Sequence, residues 1–274
     1  MKEYILNKRD AIEQRASNGW LLKWNIGNTW LKSPGFFYNY VWDSYSEVIA
    51  SSLAEDLGID RHIHYDPCIL IIDGVRVLGC ESKDYKKGMK EINFQKLVEF
   101  KLISNVYHNK YEGYKTLIKE IKEKFGINIQ SYLEDILLID SIILNTDRNL
   151  WNMSILIDKN KEGHECKIYD SGCSLGLAGV NLGEFYEEYM YSNGFKAEPF
   201  DIYFENQVKY IRNNRVYNNS LDKTRQMINF IEKHFCINNT YSVVNTILPE
   251  QMYFTKDLIM KRHNTIIGNK LWMK

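Results

Sequence analysis

The chain has 274 residues, 45% of them hydrophobic and 26% charged. That length implies about two domains, or one domain of two lobes. Lys plus Arg and Asp plus Glu each total 35, so the net charge is zero, which argues against a general nucleic-acid binder or a membrane-surface protein.

The cysteines, Cys68, Cys80, Cys166, Cys173 and Cys236, are odd in number and form no C-x-x-C pair. A disulfide framework or zinc site is not expected, and a reducing, cytoplasmic setting is. The N-terminus, MKEYILNKRDAIEQR, has no apolar stretch long enough for a signal peptide. No run approaches the ~18 apolar residues of a membrane span.

Residues 19–33 read as a hairpin, with Trp20–Trp24 and Thr29–Lys32 as strands and Asn25–Asn28 as the turn. PGFFYNYVW reads as a loop. Residues 44–57 read as a helix, with Ser44 and Glu47 spaced as a capping box and Gly58 as its stop. Residues 68–82 form a second hairpin around Asp73-Gly74. Helices are expected over 92–107, 114–125 and 131–144, the last apolar nearly all round. MSILID and CKIYD read as two strands joined by KNKEGHE. Residues 173–199 look irregular, and helices are expected from about 201 onward. The organisation is α+β. The expected arrangement is a small β-rich N-lobe over 1–82 and a larger, mainly helical C-lobe over 83–274.

The helix at 131–144 leads straight into ILNTDRNLWNMSILID. Asp147 and Asn152 stand five positions apart there, and Asp170 follows the next hairpin. Phosphoryl transfer from ATP needs a carboxylate to orient or deprotonate the attacking hydroxyl. It also needs an Asn and an Asp on Mg²⁺, and a lysine on the phosphates. Asp147, Asn152 and Asp170 fit the first three parts. Lys32 on the second strand fits the lysine, and Glu47 on the following helix would steady it. An exposed strand lysine and a capping glutamate are the plain alternatives for this pair. Gly27, in NIGN, could cradle phosphate by its backbone, with Lys23 or Lys32 beside it. Cys80, Glu81 and Ser82 stand where a two-lobed kinase offers backbone groups to adenine.

The pattern N-x-D-R-x-x-x-N, followed by IYDSGCSLG, resembles the HipA-like kinases, and most closely their compact CtkA-like relatives. Phosphoinositide kinases share a related D-R-x-x-x-N loop. The order WLKSP, SEVIASSLAEDLGI, RVLGCESKDY and the later FKAEPFDIYFENQVKYI also resemble this family, over roughly residues 25 to 215. The resemblance implies a two-lobed protein-kinase-like fold and ATP- and Mg²⁺-dependent phosphorylation of Ser or Thr on a protein substrate. It makes Asp147 the base, Asn152 and Asp170 metal ligands, and Lys32 the phosphate lysine. Arg148 would orient the loop or offset charge beside the transferring phosphate. Asn149 stands where the family usually has His. The extra N-terminal subdomain of HipA toxins has no counterpart here, so an antitoxin-like partner has no support. No membrane or direct nucleic-acid partner is expected.

Two other readings stand beside this one: a lipid or small-molecule kinase, and a non-catalytic nucleotide-binding module. Thr29, Ser33 and Ser174 are candidates for self-phosphorylation. Cys173 with His164 has no nucleophile pattern. The pair His62 and His64, with only Asp60 or Asp66 beside it, is not read as a zinc site.

Overall fold

A computed structural model describes residues 1–12, 21–34, 43–98, 110–176 and 196–268. Five strands form the first sheet: β1 (Glu3–Leu6), β2 (Lys23–Ile26), β3 (Thr29–Lys32), β4 (Asp66–Ile72) and β5 (Val75–Lys83), in the order β1-β4-β5-β3-β2. β1 joins β4 in parallel, and the other pairs are antiparallel. The β4–β5 hairpin forms as its sequence predicts. Asp73 and Gly74 both take positive φ, 48° and 85°, as a tight primed turn requires. The β2–β3 turn is tighter than expected. Ile26 pairs with Thr29, so Asn25 and Ile26 belong to the strand and Gly27-Asn28 alone make the turn.

Residues alternate across the sheet. Leu31, Cys68, Leu70, Ile72 and Val77 build a small core on one face with Leu6 and Trp24. Ile69 and Leu78 point the other way, into the main core with Ile49 and Leu53 of helix α1 (Asp43–Asp56). Every residue of α1 except Glu55 is buried, because the helix lies between the sheet and later helices. Gly79 on β5 is set by close packing. A Cβ there would stand 2.7 Å from the Lys32 carbonyl oxygen and 2.4 Å from Leu70 Cδ1. Gly79→Ala is expected to cost about 1–3 kcal/mol, read as a lower urea midpoint at unchanged m-value.

A second sheet holds β6 (Lys90–Asn93), β7 (Ser154–Ile157) and β8 (Gly163–Glu165). It corrects two expectations. The helix expected from residue 92 is preceded by strand to Asn93, because Lys90–Asn93 pairs with β7 more than sixty positions later. Among the described residues of that stretch, Phe94–Leu97 is helical (α2), capped by the Asn93 side chain. The strand expected at 166–170 falls instead at Gly163–Glu165, inside the expected turn, and Ile168 makes a single bridge to His62.

Helices α3 (Lys110–Phe125) and α4 (Gln130–Ile143) match the sequence reading, α3 starting four residues earlier. α4 is buried from Tyr132 to Ile143, as its apolar density predicts. The rest is α5 (Phe204–Val208), α6 (Asp222–Ile231) and α7 (Pro249–His263); α6 and α7 each continue into a wider π turn. Asp56, at the end of α1, accepts bonds from Lys223 N at 3.0 Å, Thr224 N at 2.8 Å and Thr224 Oγ1 at 2.7 Å. A carboxylate on the N-terminal amides of α6 is favourable and ties the sheet's helix to the helical part. Among the described residues, no helix is long and apolar enough to cross a membrane. The aromatic runs FFYNYVW and EFYEEYMYSNGF, and most of the expected irregular stretch and the end of the 92–107 helix, lie outside the described residues.

Candidate active site

A cavity of about 700 Å³ lies between the first sheet and the loops around β7. That is within the usual range for small-molecule sites. Lys23, Trp30, Lys32 and Ser82 line it from the sheet, and Asn152, Tyr169 and Asp170 from the other side. Five lysines line it against two acids, Glu91 and Asp170. Such an excess of positive charge suits a polyphosphate.

Lys32 faces this cavity from β3. Its Nζ bonds to Glu47 Oε1, lies 3.6 Å from Asp170 Oδ1, and sits 4.9 Å above the Tyr65 ring. Burial opposes its charge, but Glu47, Tyr65 and Asp170 outweigh burial and hold its pKa well above the ordinary lysine value. The other Glu47 oxygen accepts from Ser171 N at 3.1 Å. Glu47 therefore serves Lys32 and the Asp170 loop and is not the expected capping glutamate. Ser44 Oγ is buried without a hydrogen-bond partner, so the capping box does not form.

The loop after α4 is held from inside. Leu144 ends the helix in the left-handed region at φ 52°. Arg148 is fully buried. It donates to both Asp140 oxygens at 2.8 and 3.1 Å and to the carbonyls of Asn152 at 3.1 Å and Tyr169 at 2.6 Å. Arg148 thus orients the loop. The alternative, that it offsets charge beside the phosphate, does not fit a guanidinium turned inward on Asp140. Asn145 joins the two loops, donating to Asp140 at 3.1 Å and to the Asp170 carbonyl at 3.5 Å, and accepting from Asp147 N at 3.2 Å.

Asn152 Nδ2 donates to the Asp147 carbonyl at 2.7 Å and to its carboxylate at 3.3 Å. Asn149 Nδ2 does the same at 3.2 and 3.1 Å, so both asparagines brace Asp147. Burial, then the charge of Asp170, raises the Asp147 pKa. Asp170 goes the other way. Burial opposes, but Lys32, Lys23 and Arg148 prevail and lower its pKa. Its φ of 62° is a conformation Asp tolerates better than most residues. With Nδ2 spent on Asp147, Asn152 keeps Oδ1 for the cavity. A neutral oxygen and an ionised carboxylate are the hard donors that Mg²⁺ takes. Among the described residues, these two fit that ion.

Two predicted positions fall elsewhere. Gly27 turns the chain beside Asp84, whose N–H donates to the Asn28 carbonyl at 3.1 Å. Gly27 stands five positions from Lys32, roughly 16 Å along an extended chain, and does not line the cavity. Glu81 lies in register between Leu31 and Asp66, and its carboxylate turns to Lys2 Nζ and Tyr4 OH on the sheet's far face, so only its backbone is placed for the role expected of it. Ser82, one residue on, does line the cavity. The sequence reading missed Trp30, Tyr85 and Lys86. The Lys86 ammonium lies 5.6 Å from the Trp30 ring and 5.9 Å from Tyr85, making an aromatic and cationic end to the cavity. His164 pairs with Asp158 at 3.3 Å and leaves Cys173 without a base. Burial and nearby acids push the Cys173 thiol up, so it is not a thiolate.

No family model matches the chain, and no curated protein matches it. Among solved structures it is similar to the Helicobacter pylori proinflammatory kinase CtkA, at 13% identity and a TM-score of 0.59 over 92% of each chain. It is also similar to HipA of Shewanella oneidensis, solved with HipB and operator DNA, at 10% identity and a TM-score of 0.47 over 96% of this chain and 67% of that one. Hydra Fam20, solved with sugar, aligns at 12% identity and a TM-score of 0.38 over 91% and 83%. The chain has the two-lobed α+β kinase-like fold, and the resemblance to CtkA holds at the level of the fold.

Proposed function

We propose that this chain transfers the γ-phosphoryl group of ATP, with Mg²⁺, to a Ser or Thr hydroxyl of a protein substrate in the cytoplasm. In this reading residues 1–82 cover the nucleotide and residues 83–274 carry the catalytic loop. One observation carries it. Lys32, paired with Glu47 and 3.6 Å from Asp170, lines the same cavity as Asn152, to which Asp147 is hydrogen-bonded. Lys32 would contact the phosphates, and Asn152 Oδ1 and Asp170 would hold the metal. Bound there, Mg²⁺ would neutralise charge on the β- and γ-phosphate oxygens. Asp147 would orient the substrate hydroxyl and accept its proton as the oxygen–phosphorus bond forms. The bond from the γ-phosphorus to the bridging oxygen breaks, and ADP leaves.

Mass spectrometry after incubation with Mg²⁺-ATP tests this. The expected product is ADP with phosphorylated Ser or Thr peptides. Failure to bind ATP overturns it, and transfer to lipids or sugars alone would make the chain a small-molecule kinase. Ser33 and Ser174 are buried, at 0% and 1% exposure, so Thr29 is the reachable one of the three proposed self-phosphorylation positions. The pH profile is a second check. The base acts ionised, and burial and Asp170 raise its pKa. The acid limb of kcat should therefore fall at a pH above the ordinary aspartate value of about 3.9. A limb below that value would count against Asp147 as the base.

A further inference from the structure

The two histidines of RHIHYD meet a third ligand that the sequence does not place beside them. Glu55, on the last turn of α1, points its Oε1 at both rings. His62 Nε2 lies 3.8 Å from that oxygen, and His64 Nδ1 is bonded to it. The three atoms fall within 4.8 Å of one another.

Each ligand has an outer partner. His62 Nδ1 lies 2.6 Å from the Ile59 carbonyl, which only accepts, so Nδ1 carries the proton and Nε2 presents a lone pair. His64 Nε2 is held 3.2 Å from Asp66 Oδ1. Glu55 Oε2 accepts from Lys223 Nζ at 2.7 Å. The His62 side chain is only 10% exposed, and its Nε2 is buried with no hydrogen-bond partner. A lone pair thus faces a carboxylate oxygen across a gap that a cation would close.

We propose that Glu55 Oε1, His62 Nε2 and His64 Nδ1 bind a divalent transition metal of the zinc class, with a fourth position open to solvent. Two imidazoles and one carboxylate are a three-ligand zinc set. Bonds of about 2.0–2.1 Å give a tetrahedral edge of roughly 3.4 Å, close to the present His62–Glu55 gap. His64, 60% exposed, has room to swing out, and gives up its Nδ1 proton on binding. Imidazole ligands disfavour Mg²⁺, so this site is chemically distinct from Asn152 and Asp170. The metal would brace α1, which carries Glu47 two turns earlier, against the segment that bridges Ile168 through His62 and sets Tyr65 beneath Lys32.

Co²⁺ titration in Mg²⁺-free buffer tests the proposal, followed by visible absorbance and by melting temperature. The wild-type chain should bind one equivalent in a tetrahedral-type spectrum that Zn²⁺ displaces, and should melt higher with metal. Glu55→Gln and His64→Gln should each weaken binding about tenfold or more; both sites are solvent-accessible, and circular dichroism checks that they fold. His164→Gln, in the exposed group Asp158, Glu162 and His164, should keep the spectrum. No spectrum and no rise in melting temperature would overturn the site. So would unchanged affinity in both Glu55→Gln and His64→Gln, or loss of binding in His164→Gln. Neither readout uses ATP, so phosphotransfer stands or falls separately.

Discussion

Replacing Asp147 by Asn is expected to slow phosphoryl transfer by about 10²–10⁴-fold, the range for loss of a positioned base, while nucleotide affinity stays nearly unchanged. Asp147 is not among the residues lining the nucleotide-sized cavity, so binding should not need it. The same change should stabilise the protein. Burial and Asp170 raise the folded-state pKa of Asp147. The folded state therefore holds its proton more tightly than the unfolded chain, and stability falls as pH rises through these pKa values. At neutral pH the ionised carboxylate is a destabilising group. Asn removes that charge. Asn149 and Asn152 still donate to the backbone carbonyl of residue 147, so no amide is stranded. Asp147 is solvent-exposed, so screening discounts the effect, and a small rise in melting temperature is the expected reading. Asp170→Asn should also be inactive but shift the other way. Lys32, Lys23 and Arg148 lower the Asp170 pKa against burial. Its ionised form adds stability above the unfolded pKa and loses it as pH falls through the folded one. Asp170→Asn should melt below wild type at neutral pH, with the deficit closing in acid. Full activity in Asp147→Asn would remove it as the base. A melting order with Asp170→Asn above Asp147→Asn would overturn the electrostatic account.

The parts of this site that were legible in the sequence are those joined by short spacing. Asp147 and Asn152 sit on one loop and Asp170 follows soon after the next hairpin, and the fold brings Asn152 and Asp170 to one cavity. The Asp73-Gly74 turn was legible for the same reason: its backbone demand is met by two adjacent residues. What failed depended on distant partners. β6 is a strand only because β7 lies beside it, and local propensity carries no record of that. Glu47 fitted two readings by sequence, a capping box and a partner for Lys32, and only the fold brings its carboxylate to Lys32. Gly27 was read as a phosphate cradle because it is the glycine of the turn between the two strands of the first hairpin. The strand direction then takes it to the far end of the sheet. His62 and His64 have only Asp60 and Asp66 near them in sequence, whereas the carboxylate beside them, Glu55, comes from the preceding helix. Arg148 was singled out by the D-R pattern, but nothing local announces that it is fully buried.

That burial makes Arg148 the position where substitution should cost most stability. Arg148→Met keeps much of the volume but strands Asp140 in the core and leaves the carbonyls of Asn152 and Tyr169 without their donor. Breaking a buried ion pair from one side costs about 3–5 kcal/mol, and denaturant melts should show a loss of that size. Arg148→Met with Asp140→Leu separates the two jobs of the arginine. Removing both charges of a buried pair is often close to neutral, so the double variant should regain about 1–3 kcal/mol over the single one. Activity should not return with it. The guanidinium joins the backbone at Asn152 to the backbone at Tyr169, one residue before Asp170, and a leucine–methionine pair has no donor for either carbonyl. The two proposed metal ligands would then lose their common anchor. The expected signature is a refolded double variant whose kcat stays at least about tenfold down and whose Mg²⁺ requirement is raised. Recovery of both stability and kcat would show that Arg148 serves the core alone.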